Sequence, residues 1–182
     1  MDVLDDLVEG VTDANHRFGD YCGMGGYIEK LRVWWHYEFE DQEVLHLLKV
    51  HILEMLADVV QIALVGTLAR GCRYRGWIDN QSSMFAIRGQ NSRDPKLMEL
   101  LYVRHAILRR EAVRPEASAY VATEDNISDP ISRGKFTEFL KRAAEERGER
   151  ELTRIAIQRS PLANELRTLI HHLCQISLLT TP

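Results

Sequence analysis

Four carboxylates stand where their type and setting could do chemistry: Asp13 in "VTDAN", Glu54 in "HILEMLAD", Asp79 in "WIDNQSSMFAI" and Asp129 in "EDNISDPISRG". Carboxylates gathered at one point repel one another unless a cation neutralises them, and their hard oxygens select Mg²⁺ or Mn²⁺ over softer metals. Asp13 and Asp79 each close a short strand-like run, so if those strands are neighbours the two acids converge. Each acid alone also has a plainer reading. Asp13 and Asp79 stand in Asp-Ala-Asn and Asp-Asn sequences that suit turns or caps. Asp129 precedes Pro130 in a helix-start pair that recurs at Asp94-Pro95, where no chemistry is implied. Glu54 lies on a polar helix stripe that could face water. Only the four together point to a metal site.

The elements that would position them follow from pattern. From Val8 to Phe39 the chain is strand-like: "EGVTDAN" runs into an Asp/Asn turn, "GMGGYIE" is Gly-rich and extended, and "LRVWWHYEF" is dense in β-branched and aromatic residues. Three strands joined by short turns imply antiparallel pairing. From about Val44 to Ala69 the period changes to that of a long helix, on which His51, Glu54, Asp58 and Gln61 form one polar stripe. "RGWID" predicts a fourth strand and "NQSSMFAIRG" a short helix. "SRDPKLMELLYVRHAILRREAV" predicts a second long helix, with Asp94 as N-cap and Pro95 at its first position. "ASAYVAT" predicts a fifth strand, and a further helix is expected from about Ile131 to Arg147. Strands four and five, each separated by helices, should pair in parallel, giving an α/β mixed sheet covered by helices. Residues 1–148 are read as one domain and 149–182 as a C-terminal helical extension, with Ser160-Pro161 as its helix start and an apolar stripe through Leu166, Leu169, Ile170 and Leu173.

Composition sets limits. Of 182 residues 45% are hydrophobic and 27% charged, an ordinary globular balance, and the formal net charge of −4 offers no bulk attraction to nucleic acid or an anionic membrane. A phosphate-binding role must therefore be local or metal-assisted. The most apolar run, Leu47 to Val65, contains Lys49, Glu54 and Asp58 and reads as a buried helix, with no membrane partner expected. Three scattered cysteines without a Cys-x-x-Cys pair suit a reducing cytoplasmic or nuclear compartment.

The four acidic segments, taken in order and with the glycines of "GMGGYI", resemble the ribonuclease H domains attached to retroelement reverse transcriptases. The most specific stretch is the last, where Asn126, Ser128-Asp129, Ser132 and Arg133 resemble an Asn-x-Ala-Asp-x-x-Ser-Arg ending. The resemblance spans about residues 8 to 147. It implies a five-stranded mixed sheet and hydrolysis of the RNA strand of RNA–DNA hybrids, with Asp13, Glu54, Asp79 and Asp129 as the catalytic set. That set would hold two divalent ions, Mg²⁺ or Mn²⁺, about 4 Å apart. By the same resemblance Asp13 bridges both ions, Asp129 completes the water-activating site, and Glu54 and Asp79 hold the other. A reverse transcriptase absent from this chain is the implied partner. Many relatives carry a histidine before the last acid, but residues 113 to 128 contain none.

Asn15, Asn80 and Gln81, close to the acids, are candidates for contact with sugar hydroxyls, by which RNA is told from DNA. Basic clusters around Arg70–Arg75, Arg104–Arg114 and Arg133–Arg142 offer phosphate contacts or a solvated face. Trp34, Trp35 and Trp77 read as sheet core. The alternative functions are a catalytically degenerate module that binds nucleic acid or a protein partner, another nuclease or strand-transfer enzyme on the same fold, and an interaction protein using its C-terminal helix.

Overall fold

In a computed structural model of the chain, which describes residues 6–16, 21–41, 46–148 and 151–179, the expected strand and helix order is present. Strands β1 (Leu7–Asn15), β2 (Gly23–Ile28) and β3 (Val33–Glu38) form an antiparallel meander. Helix α1 (Val50–Leu68) then carries the chain across the sheet to β4 (Arg73–Ile78), which lies parallel to β1. Helices α2 (Gln81–Gly89) and α3 (Pro95–Arg110) follow, then two short strands, β5 (Arg114–Pro115) and β6 (Ala119–Tyr120), both parallel to β4. After α4 (Asp129–Ser132) and α5 (Phe136–Arg147), β7 (Thr153–Ala156) joins β3 in parallel and α6 (Ala163–Leu179) closes the fold. The strand order is β5-β4-β1-β2-β3-β7, with β6 continuing along the β4 edge.

Both faces of the sheet are covered, which is why β2 is buried at all six positions. On one side α1, α3 and α6 pack with Met24, Trp35 and Tyr37 of the sheet. On the other, Ile131, Phe139 and Ala143 of α4 and α5 pack against Tyr27 and Trp34. Trp34 and Trp35 are core residues, while Trp77 is half-buried and donates its indole N–H to Glu9. By length and hydropathy α1 would suffice to cross a bilayer, yet most of it is buried inside the protein.

The structure departs from the sequence pattern in four places. Helix α1 begins at Val50 rather than Val44, which lies outside the described residues. The fifth strand is split: β5 ends at Pro115, which has no N–H for the ladder, and pairing resumes at Ala119. The helix expected from Ile131 to Arg147 is broken at Gly134, whose φ of +72° no helix allows. After residue 148 a strand precedes the expected helix: β7 widens the sheet, and α6 then buries Leu166, Ile170 and Leu173 in the same core as α1.

The polar stripe of α1 also faces differently from its open-water reading. Glu54, Asp58 and Gln61 are all buried, because the stripe lies against the sheet where glycines leave room. Gln61 lies over Gly10 and Gly26, accepts from Trp35 Nε1 at 3.0 Å and donates to Tyr74 Oη at 2.8 Å. Asp58 lies over Gly76 and pairs with Arg104 Nε of α3 at 2.9 Å. Hydrogen bonds at Gln61 and the Arg104 pairing of Asp58 offset much of the cost of burying so polar a stripe.

Candidate functional site

Parallel pairing of β1 with β4 matches Val11 to Trp77, so two residues further on Asp13 comes level with Asp79. Glu54, one turn into α1, reaches the same point: its Oε1 accepts the Ala14 N–H at 2.9 Å and fastens the helix to the strand. Ligand oxygens of Asp13, Glu54 and Asp79 all lie within 4.8 Å of one another. Among the described residues no other group of three His, Cys, Asp or Glu side chains is placed to hold a metal ion.

Asp13 and Glu54 are 4% and 3% exposed, so the charge they would carry has little water to stabilise it. Burial, and then the neighbouring Asp79 charge, push the Asp13 carboxyl well above the usual carboxylate range, while the Ser132 hydroxyl that donates to it pulls the other way. Burial, and then Asp13 and Asp79, push Glu54 up likewise, against the opposing bond from Ala14. Asp79 is raised mainly by burial, with hydrogen bonds from Asp13, Thr123 and Asn126 opposing; the Thr123 hydroxyl lies 3.3 Å from its Oδ2.

These are the properties of a site that a bound cation would complete. Glu54 Oε2 is buried with no hydrogen-bond partner, an acceptor directed into a cluster of acceptors. A divalent ion would satisfy it and remove the repulsion at once. The all-oxygen donor set fits Mg²⁺ or Mn²⁺, with Asp13, Glu54 and Asp79 as holders.

Asp129 lines the same open cleft, of about 420 Å³, but stands outside the compact trio. Its Oδ1 is occupied by Arg133, whose Nε and Nη2 lie 3.1 and 3.0 Å away. Of the other candidates, Asn15 lines the cleft and donates to the Tyr21 carbonyl at 3.0 Å. Asn80 lines it too, and its side chain caps α2 by accepting from Ser83 N at 2.9 Å. Gln81 is exposed at the first turn of α2 and is not among the cleft's lining residues.

Sequence reasoning gave no role to the residues that build the frame. Asn126, wholly buried, donates to the Thr12 carbonyl at 3.0 Å and accepts from both the N–H and the hydroxyl of Ser128. Ser132 ties α4 to Asp13. Their signal was the motif around Asp129 itself, in which Asn126, Ser128 and Ser132 recur around two isoleucines. His16 also lines the cleft, on the β1 side and not in the stretch before Asp129. The basic clusters are mostly engaged elsewhere: Arg73 with Asp6 and Glu116, Arg75 with Glu9, Arg104 with Asp58, and Arg110 with Glu111.

No protein-family model matches the chain, and no curated protein sequence does. Among solved structures, ribonuclease H1 from the halophilic archaeon Halobacterium salinarum NRC-1 superposes with a TM-score of 0.55 at 12% identity, covering 72% of this chain and 98% of that one. The N-terminal ribonuclease H domain of Rv2228c from Mycobacterium tuberculosis gives 0.53 at 14% identity, covering 75% of this chain and 99% of that one. The architecture is therefore the ribonuclease H-like fold.

Proposed function

We propose that this chain is a divalent-metal-dependent ribonuclease H that hydrolyses the RNA strand of RNA–DNA hybrids. The observation that carries the reading is the convergence of Asp13, Glu54 and Asp79, with the unpartnered, buried Glu54 Oε2 among them. Two bound divalent ions would supply activation of the attacking water and stabilisation of the leaving oxygen. Asp13, Glu54, Asp79 and Asp129 would hold them. Ser132 orients Asp13, the Ala14 N–H orients Glu54, and Thr123 orients Asp79, so the carboxylates are held by bonds that reach into β1, α4 and the loop before it. Asn15 and Asn80, on the cleft wall, are proposed to meet the sugar edge of the substrate, with Gln81 reaching it from outside the cleft.

A retroelement type is supported by the run from Asn126 to Arg133, each of whose polar residues has a structural task here. A reverse transcriptase outside this chain would then be the working partner. A non-catalytic binding module on the same fold is favoured by one observation, the engagement of Asp129 by Arg133.

The deciding experiment is cleavage of an end-labelled RNA–DNA hybrid with Mg²⁺ and with Mn²⁺, beside single-stranded RNA, duplex RNA and duplex DNA. Hybrid-only, metal-dependent cutting that disappears in Asp79→Asn is the expected result. Cutting of plain duplex DNA would move the reading to another nuclease. A folded protein that cuts nothing would move it to the binding module.

A further inference from the structure

The fourth carboxylate is not free. Asp129 and Arg133 are four residues apart across α4, so their ion pair forms within one helical turn, and both side chains are partly shielded, at 23% and 31% exposure. Two N–H groups of Arg133, Nε and Nη2, converge on the single oxygen Oδ1 of Asp129, and the opposite charges strengthen both bonds. Asp13, Glu54 and Asp79 instead face one another, with ligand oxygens all within 4.8 Å, and the buried Glu54 Oε2 has no hydrogen-bond partner. The cleft therefore has two unequal halves, one open to a cation and one already holding its own.

We propose that Arg133 is a built-in placeholder for the second divalent ion, released from Asp129 only when a substrate phosphate takes its guanidinium. This rests on the proposed function above. A first ion can enter among Asp13, Glu54 and Asp79 without disturbing Arg133. A second, entering at Asp129, would stand beside a fixed positive charge or displace it. Displacement requires another planar, anionic acceptor for the guanidinium. The three carboxylates are by then taken by the first ion, whereas a phosphodiester brought into the cleft presents two anionic oxygens of suitable geometry. Second ion and substrate therefore assist each other, and by linkage each raises the other's affinity by the same factor.

The test is calorimetric titration of Mn²⁺ into the full chain at fixed pH, which reads binding and not turnover. Wild type alone should take one ion. Arg133→Gln should gain a second, tightened by at least about tenfold, or ~1.4 kcal/mol, with the first changed little. Arg133→Lys keeps the charge and should behave as wild type, which separates electrostatics from any loss of helix structure. Asp129→Asn combined with Arg133→Gln should return to one ion. Adding a duplex of DNA with 2′-O-methyl RNA, as an uncleavable probe, should bring the second ion into wild type and change Arg133→Gln far less. If wild type binds one ion and Arg133→Gln still binds one, or if wild type binds two without the probe, the placeholder is overturned and the metal site stands. If wild type binds none, the metal-dependent function falls with it.

Discussion

The Asn126 amide donates to the carbonyl of Thr12, the residue just before Asp13, across 3.0 Å in a wholly buried setting. The loop that carries Asp129 is thereby fastened to the strand that carries Asp13. The same side chain accepts two bonds from Ser128, so one residue satisfies three buried partners.

Asn126→Ala should therefore cost more than an ordinary side-chain deletion. Unsatisfied buried polar groups cost about 1–3 kcal/mol each, and loop relaxation recovers part, so a loss of about 2–4 kcal/mol is expected in urea denaturation. Cleavage should fall further than the folded fraction does, because Asp129 loses its register against Asp13. A variant within 0.5 kcal/mol of wild type, roughly the noise of a surface substitution, would show that the loop is held by something else.

Glu54→Gln should stabilise the metal-free protein while abolishing cleavage. The Glu54 carboxyl is held well above its usual range, so between its unfolded value and that raised one the folded chain binds more protons than the unfolded chain. Stability then falls as pH rises through this interval and levels off above it. Glutamine carries no charge and still accepts the Ala14 N–H. In EDTA at about pH 8 its thermal midpoint should lie roughly 2–4 °C above wild type for each 1 kcal/mol relieved, with the difference shrinking toward about pH 4, near the unfolded carboxylate value. Mg²⁺ should raise the wild-type midpoint and leave Glu54→Gln nearly unmoved. A destabilised Glu54→Gln in EDTA would mean that the carboxylate cluster does not strain the fold.

Much of this was legible in the sequence, and the failures have physical causes. Asp13 and Asp79 could be placed because each ends a strand-like run, and parallel pairing of those strands brings their ends together. Glu54 was assigned to a polar stripe whose direction was left open, since periodicity shows that a stripe exists and not what it faces. The trough that receives the stripe is made by Gly10, Gly26 and Gly76, from three strands, and no local pattern reveals that alignment. Strand β7, "TRIA", is four residues long with an arginine in it and gains its identity only from β3 beside it. The break at Gly134 was hidden by the helical character on both sides.

Gly26→Ala tests the trough. A Cβ there would fall inside contact distance of Gln61 Oε1 and the Trp35 indole. Gln61 cannot swing away without giving up its bonds to Trp35 and Tyr74. A loss of about 2–4 kcal/mol is expected, from overpacking and the broken bonds together. In a Gln61→Ala background the same substitution should cost at least about 1 kcal/mol less, a coupling within the range for residues in contact. Additive losses would place the clash at Trp35 rather than at Gln61.

Asp58 and Arg104 make the most demanding case, because neither side chain has water to fall back on: their exposures are 0% and 3%. Asp58 lies one turn beyond Glu54 on α1, and its partner comes from α3, so the pair fixes the metal-bearing helix against its neighbour. Removing one member leaves the other buried and uncompensated. Arg104→Met should therefore lose about 3–5 kcal/mol, whereas Asp58→Leu with Arg104→Met should recover most of it, since well-packed apolar replacements of buried pairs are often neutral or stabilising. Urea denaturation of both single variants and the double variant measures this directly. The functional consequence is separable: if the pair also sets where Glu54 stands, the double variant regains stability but binds Mn²⁺ more weakly than wild type. Full recovery of both would reduce the pair to a stability element, and a single variant within 1 kcal/mol of wild type, about the worth of an exposed pair, would mean that α1 and α3 are held by their apolar contacts alone.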